Sequence, residues 1–571
     1  MAEALVVTPK FKKWVILQPE ASIVDRLHQE LKIHYSICRL LALRGITNAE
    51  EAGLFFNPSL EQLHDPFLMK DMDKAVARIR RAIESGESVL FYGDYDVDGT
   101  TAVALLYTFF KAHYDRLGYY VPDRNREGCG ISTDGIDYAR QHGYSLVIAL
   151  DCGVKEHDKI DYAASLGIDF IICDHHLPEH KVPDAVAVLD PKRSDCPYPF
   201  KELSGCGVGF KLVQAYALRS GIDLHEVYDL LDFVVVSIAA DTVLLTGENR
   251  VLAYYGMQLI NQKKRQGFKA ILEIVNARKQ LELMDLVFTI GPRINAAGRI
   301  LHASYAVELL IETDEDAAMK KARLIHDNNS ERQVLDKDVT SSALDIIEEH
   351  DYENRKSIVI YQPHWHQGVI AIVASRIVDQ FHKPTIILTE ANGVVVGSAR
   401  SVPGFDLHDA IQACSQYLIQ FGGHKYAAGL SMKPELVPAF IEAFEQVVQE
   451  RIQEEQLEPF IEVDDVIELD DINERFYNMI EKMAPFGPGN HKPVFVTREV
   501  KDTGNNGFVG TAHLKLHVAK PGQMSKSGIG FGMWDYIPYL RSKGTFDICY
   551  QMYVNEWNGQ RNIEVRLKDL K

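Results

Sequence analysis

At about 150 residues per domain, 571 residues suggest roughly three or four domains, and a composition of 46% hydrophobic and 25% charged residues is that of an ordinary soluble globular chain. No stretch approaches the roughly 18 to 20 uninterrupted apolar residues of a membrane span, and the eight cysteines include no CxxC pair, which excludes a disulfide framework and a thiolate zinc site. The formal charge of −19, from 61 basic and 80 acidic residues, means that any contact with a polyanion must be made locally.

The first segment, MAEALVVTPKFKKWVILQPE, mixes charge through its apolar residues and lacks a signal peptide's continuous apolar core, so the expectation is a cytoplasmic monomer with reduced thiols. Residues 1–75 read as an N-terminal helical extension of short periodic pieces. From 76 to 313, short β-branched runs (SVLFY, LVIAL, DFIIC, VAVLD) alternate with helical periodicity, the pattern of βαβ units building a parallel sheet. Residues 314–350 have no Gly or Pro and carry apolar residues at helical spacing, which predicts one linking helix on the order of 50 Å long. A second α/β domain is expected over 351–455, with SIVIY and TIILT as strands, then GVVVGSARS and a Gly-rich turn at FGGHKYAAG. The remainder, 456–571, alternates short strands with turns and reads as all-β. Its charge is split: 458–481 hold nine acidic residues against one basic, whereas 482–571 hold thirteen basic against seven acidic.

The chemistry concentrates at strand ends. GDYDVDGTTA places Asp94, Asp96 and Asp98 on a strand-to-helix loop, where carboxylates so close repel unless a cation sits between them. An EF-hand is excluded, because the twelfth position is Leu105 and a strand precedes the loop. Asp151 ends LVIAL, and Asp174, His175 and His176 follow FIIC; in an open α/β sheet such groups collect on one edge. Asp241 ends VVVSIAA, whose β-branched character suggests a strand although a buried helix is equally compatible. Asp96, Asp98, Asp151, His175 and Asp241 supply oxygen and imidazole donors without thiolate, which suits Mn²⁺ or Mg²⁺. Two ions, with Asp151 bridging, would serve phosphoester hydrolysis, leaving His176 to donate a proton to a phosphate or leaving oxygen.

GDYDVDG, LDCGV, CDHH and IAAD, in that order, resemble the four motifs of the DHH phosphoesterase superfamily. RNREGCGIS, TGENR, GPRINAAGRI, WHQGVIAIVASR, GSARS and FGGHKYAAGL narrow the resemblance to the bacterial RecJ single-stranded-DNA exonucleases, from about residue 76 onward. The resemblance implies a DHH domain, a DHH-associated domain and a C-terminal OB-like barrel. It implies metal binding by Asp96, Asp98, Asp151, His175 and Asp241 with Asp94 in support, and His176 as catalytic partner. It further implies that Ser398, Arg400, Gly423 and His424 hold the DNA backbone, that Arg293 and Arg299 flank the linker side, and that Arg124 meets the terminal 5′ phosphate. Tyr92 departs from the histidine that some superfamily members offer to a first metal.

The C-terminal aromatics, among them Phe486, Phe495, Phe508, Phe531, Trp534, Tyr553 and Trp557, are interleaved with lysines and arginines. That mixture fits an OB fold in which some rings fill the interior and others stack on bases. The expected activity is 5′→3′ hydrolysis of single-stranded DNA to mononucleotides in repair and recombination, with a helicase and a single-strand-binding protein as companions. Its rivals are a phosphodiesterase for short oligonucleotides or cyclic dinucleotides and a non-catalytic DHH replication scaffold, against which the complete acid and histidine set argues.

Overall fold

The computed structural model describes residues 11–124, 126–277, 280–350, 352–510, 512–557 and 560–571; residues 1–10 of the extension and the side chain of Trp557 lie outside the described residues. Among the described residues, no helix is long and apolar enough to cross a membrane.

Five strands, Ser88–Gly93, Leu117–Tyr120, Tyr144–Leu150, Asp169–Cys173 and Ala187–Leu189, pair in parallel throughout. Numbered along the chain, they lie in the order 2-1-3-4-5 across the sheet. Helices cover both faces, so each strand reads as a continuous apolar run and not as an alternating one. Phe91, Ile148 and Ile171 belong to one core, and Leu90, Val147 and Ile172 to the other. Strand order reverses between the first and third strands, which opens a crevice at their C-terminal ends.

The helix Met72–Glu84 straddles residue 75, and its buried Met72, Ala75, Val76, Ile79 and Ala82 belong to the core of this first sheet. The earlier helices Ala21–Leu31 and Tyr35–Leu43 pack elsewhere: Val24, Leu27, Ile37, Leu40 and Leu41 share a core with Ile467, Phe476, Phe495 and Tyr550 of the C-terminal domain. Lys13–Ile16 pairs in parallel with Phe460–Val463. Of the strand and the buried helix that the sequence leaves open before Asp241, the structure has the helix Leu231–Ala240, with Leu231 to Ala239 all buried; apolar contact on every side lets β-branched residues fill a helix as readily as a strand.

Glu315–Glu349 is a single helix of 35 residues, capped by Asp314, whose side chain accepts from the Ala317 N–H. At 1.5 Å per residue it runs about 52 Å. Ala318, Ala322, Ile325, Asn329, Asp336, Val339, Ala343 and Ile347 form its buried stripe, against the helices Leu283–Ile300 of the first domain and Ile370–Phe381 of the second.

The second sheet has the order Gln420–His424, Ala427–Met432, Val394–Arg400, Thr385–Ala391, Ile358–Tyr361, with only the last pair parallel. The expected Gly-rich turn is a β-hairpin: Gly422, Gly423 and His424 sit on a strand, and only Lys425 and Tyr426 turn the chain. In the C-terminal domain the strands Phe495–Asp502, Phe546–Trp557, Gln560–Leu570, Lys526–Gly530 and His513–Ala519 pair in sequence, and the last pairs back to the first, closing a five-stranded ring of OB type. The domain is not purely β, since Glu474–Glu481 and Ile537–Ser542 are helical.

Candidate functional site

The loop after the first strand begins the site. Asp96 caps the helix Val97–Lys111, its Oδ1 accepting from the Gly99 N–H at 3.0 Å. The loop is so tight that a Cβ on Gly99 would lie 2.3 Å from the Asp94 carbonyl oxygen. Asp98, 1% exposed, accepts from the Gly205 and Cys206 N–H groups at 2.7 Å each, at the start of the helix Gly205–Ser220. The Ser237 hydroxyl adds a third donor at 2.7 Å. A helix N-terminus aimed at a buried carboxylate fixes its orientation.

Asp151 ends the third strand with φ at +61°, a left-handed conformation uncommon for a residue with a Cβ. Such strain persists where surrounding structure demands it, most often at functional sites. It turns Asp151 Oδ1 to within 3.2 Å of His175 Nε2, which also lies 3.7 Å from Asp98 Oδ2 and 3.6 Å from Asp241 Oδ2. Two sets of donors divide the acids between them, Asp98, His175 and Asp241 in one and Asp94, Asp96 and Asp151 in the other, and a third set, Asp151, His175 and His176, overlaps both. Asp151 touches both, because its carboxylate reaches His175 of the first set.

The electrostatics are those of a cation site. Burial and then the Asp96 charge push Asp94 up to about 7; burial and then Asp98 push Asp241 up to about 8. Asp151 is raised well above the ordinary carboxylate range by burial and by the Asp98, Asp96, Asp94 and Asp241 charges. Burial lowers His175, favouring the neutral, ligand-competent imidazole. Asp94 Oδ1 and Asp151 Oδ1 are buried without a hydrogen-bond partner. Buried carboxylate oxygens without a donor are what divalent cations satisfy, so these residues fit a two-ion centre.

His176 stands beside this cluster on a different support. Its Nδ1 donates to Asp174 Oδ1 at 2.8 Å, leaving Nε2 for another partner. That bond outweighs the burial that would lower it and raises His176 to about 9. Burial pushes Asp174 up, but the His176 contact and the Val154 and His176 N–H groups outweigh it and hold the carboxyl below its usual value.

The positions expected to meet DNA do not all converge. The Arg124 guanidinium lies 5.0 Å from the Tyr95 ring, and Arg299 feels the charges of Arg124 and Arg400 while donating to the Gly368 carbonyl at 2.7 Å. Arg400 Nη1 donates to Ser398 Oγ at 3.0 Å on one strand. Burial and then the charges of Lys155, His176, His408 and Lys192 lower His424. Gly423, at φ +142°, has no room for a Cβ, which would lie 2.4 Å from the Ala427 carbonyl oxygen. Arg293 lies on the linker side: it is buried, donates to the Thr289 carbonyl at 2.6 Å and through Nε to the His326 ring of the linking helix at 3.2 Å. Tyr92 is wholly buried, its hydroxyl engaged by Gly130 and Ser132 and not by the carboxylates.

Three comparisons bear on this site. Residues 88–238 match the DHH family N-terminal domain, 354–450 the DHHA1 domain, and 463–569 the RecJ OB domain. The single-stranded-DNA-specific exonuclease RecJ of Bacillus subtilis (strain 168) is 34% identical over 562 residues, spanning 98% of this chain and 70% of that protein. The chain belongs to the RecJ family. A crystal structure of RecJ in complex with Mn²⁺ from Thermus thermophilus superposes with a TM-score of 0.84 at 24% identity, over 98% of this chain and 79% of that one. A structure of exonuclease RecJ bound to manganese has a TM-score of 0.60 at 29% identity, over 69% and 97% of the two chains.

Within this RecJ-family site, sequence reasoning passed over the layer behind the carboxylates. Asp174 has no role of its own legible within CDHH, and nothing in the sequence marks Ser237, Gly205 or Cys206 as a partner of Asp98. The signal for Gly205 is the Gly-spaced run SGCGVG at a helix start: a Cβ there would lie 2.7 Å from both Cβ and Oδ1 of Asp151.

Proposed function

We propose that this chain is a single-stranded-DNA-specific 5′→3′ exonuclease releasing mononucleotides by two-metal-ion phosphodiester hydrolysis, with Mn²⁺ or Mg²⁺, in repair and recombination. The carrying observation is the pair of donor sets joined at Asp151, on the sheet edge where strand order reverses. Asp98, His175 and Asp241 would hold one ion and Asp94, Asp96 and Asp151 the other, with Asp151 between them. Bound ions would acidify water and neutralise charge on the phosphate. Manganese is the ion named for the relative at 29% identity.

Hydrolysis forms a P–O bond from water and breaks the P–O3′ bond, and the leaving 3′ oxygen takes a proton. His176, whose bond to Asp174 raises it and favours its protonated form, would give it. Arg124 over Tyr95 is the candidate for the 5′ phosphate, and Arg299, Ser398, Arg400, Gly423 and His424 for the backbone entering between the α/β domains. Arginine forks suit phosphate geometry. A cytoplasmic monomer working with a helicase and a single-strand-binding protein completes the reading.

The test is hydrolysis of end-labelled single-stranded and duplex DNA, with and without a 5′ phosphate, in Mn²⁺ and in Mg²⁺. Mononucleotide release from the 5′ end of single strands is expected; equal rates on duplex, or release from the 3′ end, would refute the reading.

The OB ring sorts its aromatics. Phe495, Phe546 and Tyr550 are buried, whereas Phe508, Phe531 and Trp534 face outward. Arg566 lies 5.4 Å from the rings of both Phe531 and Tyr553, and His513 meets Phe531 at 5.1 Å. An exposed ring flanked by a cation is a base-stacking platform on a basic segment. Phe531→Ala should weaken binding of a 30-mer by about 1–3 kcal/mol, read by fluorescence anisotropy, and leave dinucleotide hydrolysis unchanged. Equal loss on both substrates would place Phe531 in the fold and not in the interface.

A further inference from the structure

The loop that carries Arg124 is fastened from beneath by one carboxylate. Glu127, its side chain 2% exposed, accepts through Oε2 from the Tyr120 hydroxyl at 2.9 Å and the Ser132 hydroxyl at 2.5 Å. Through Oε1 it accepts from the Asp123 N–H at 2.9 Å and from Arg126 Nη2 at 3.3 Å. Both ends of the loop are thereby tied to a single group, on either side of Arg124. Tyr92 fastens the far end a second time: its hydroxyl donates to the Gly130 carbonyl at 3.0 Å and accepts from the Ser132 N–H at 3.0 Å, while its ring stacks on Tyr120. Ser132 in turn caps the helix Thr133–Gln141, so the loop is continuous with rigid structure.

Burying a carboxylate under a surface loop is costly unless its oxygens are satisfied, and here each oxygen has two donors. Arg126 is largely exposed and lends Glu127 only a long contact, so charge pairing does not account for the burial. Among the described residues, Arg124 makes no hydrogen bond to this network; its guanidinium lies over Tyr95, the residue between Asp94 and Asp96. We propose that Glu127 is a positioning residue for recognition of the strand's 5′ phosphate, acting with Tyr92 to hold Arg124 at a fixed distance from the metal-binding carboxylates. The proposal rests on the reading of Arg124 given above. A displacement of about 1 Å in a positioning group can cost on the order of a hundredfold in rate.

The experiment compares single-turnover removal of the first nucleotide from 5′-phosphorylated and 5′-hydroxyl 20-mers by wild type, Glu127→Ala, Glu127→Gln, Tyr92→Phe, Arg124→Ala and the Arg124→Ala/Glu127→Ala double variant. The Mn²⁺-induced rise in melting temperature is followed in each. Glu127→Ala is expected to lower the preference for the 5′ phosphate about tenfold or more, with Glu127→Gln and Tyr92→Phe intermediate, and with the Mn²⁺ response intact. The double variant should lose no more preference than Arg124→Ala alone, because Glu127 acts through Arg124. An undiminished preference in Glu127→Ala, additive losses in the double variant, or a lost Mn²⁺ response would overturn the proposal. Should Arg124→Ala keep the preference that Glu127→Ala loses, the loop's positioning role stands and the assignment of Arg124 falls.

Discussion

Asp151→Asn should bring Mn²⁺-dependent cleavage to background, a loss on the order of 10³-fold or more, and should at the same time raise the melting temperature in chelator. The two effects have one origin. Asp151 belongs to one donor set and its carboxylate reaches His175 of the other, so the neutral amide weakens the group that couples them. It is also a crowded acid, raised by burial and by the Asp98, Asp96, Asp94 and Asp241 carboxylates. Asparagine keeps the shape and removes the repulsion. The same logic fixes the pH dependence. Asp94 and Asp241 have folded pKa values of about 7 and about 8, above the ordinary carboxylate value of roughly 4, so between those limits the folded state binds more protons than the unfolded one. In chelator, these groups make stability fall as pH rises from about 4 to about 8. Mn²⁺ should cancel that fall in the wild type and do less in Asp151→Asn. Calorimetry across this range, with EDTA and with Mn²⁺, checks the claim; a wild-type melting temperature indifferent to Mn²⁺ at pH 8 would remove the metal centre from the account.

What could be read from the chain and what could not follow a physical division. Asp94, Asp151 and His175 stand within two residues of apolar runs that read as strands of a parallel sheet, Asp96 and Asp98 follow on the loop and first helical turn after the first of them, and topology then brings all five to one edge. Asp241 escaped this logic: it ends a helix buried on all sides, where periodicity carries no information, and its place beside His175 is set by tertiary packing. Nor could periodicity find the donors behind Asp98, since the Gly205 N–H and the Ser237 hydroxyl are more than a hundred residues away. The arginines show a third limit. Arg124 and Arg293 are equally arginine in the sequence, but the first lies over Tyr95 near the carboxylates and the second is spent on a carbonyl inside a helix seam. The N-terminal extension had no visible purpose because its partners, the strand Phe460–Val463 and the core around Phe476 and Tyr550, come from the other end of the chain.

Asp174→Asn is expected to lower kcat by roughly 10²–10⁴-fold while leaving the Mn²⁺-induced rise in melting temperature in place. Asp174 belongs to neither set of metal donors; both its oxygens are taken by the Val154, His175 and His176 N–H groups and by His176 Nδ1. An amide in its place must turn its NH₂ either toward Val154 N–H or toward the His176 ring, and each arrangement sets a donor against a donor. If the ring gives way, His176 Nδ1 becomes the acceptor, the proton moves to Nε2 on a neutral imidazole, and the group loses the charge that the carboxylate sustained. The residue would then hold a proton too tightly to release it to a leaving oxygen and would no longer be oriented toward the phosphate. Dissection of kcat from KM on a 5′-phosphorylated single strand reads this directly: KM should change little, because the arginines that hold the strand are untouched. A fall in Mn²⁺ affinity comparable to that of Asp151→Asn would instead make His176 a metal ligand, joining Asp151 and His175 with which its donor atoms already lie within 4.8 Å. The split between proton donor and ligand therefore turns on which of the two variants retains its metal.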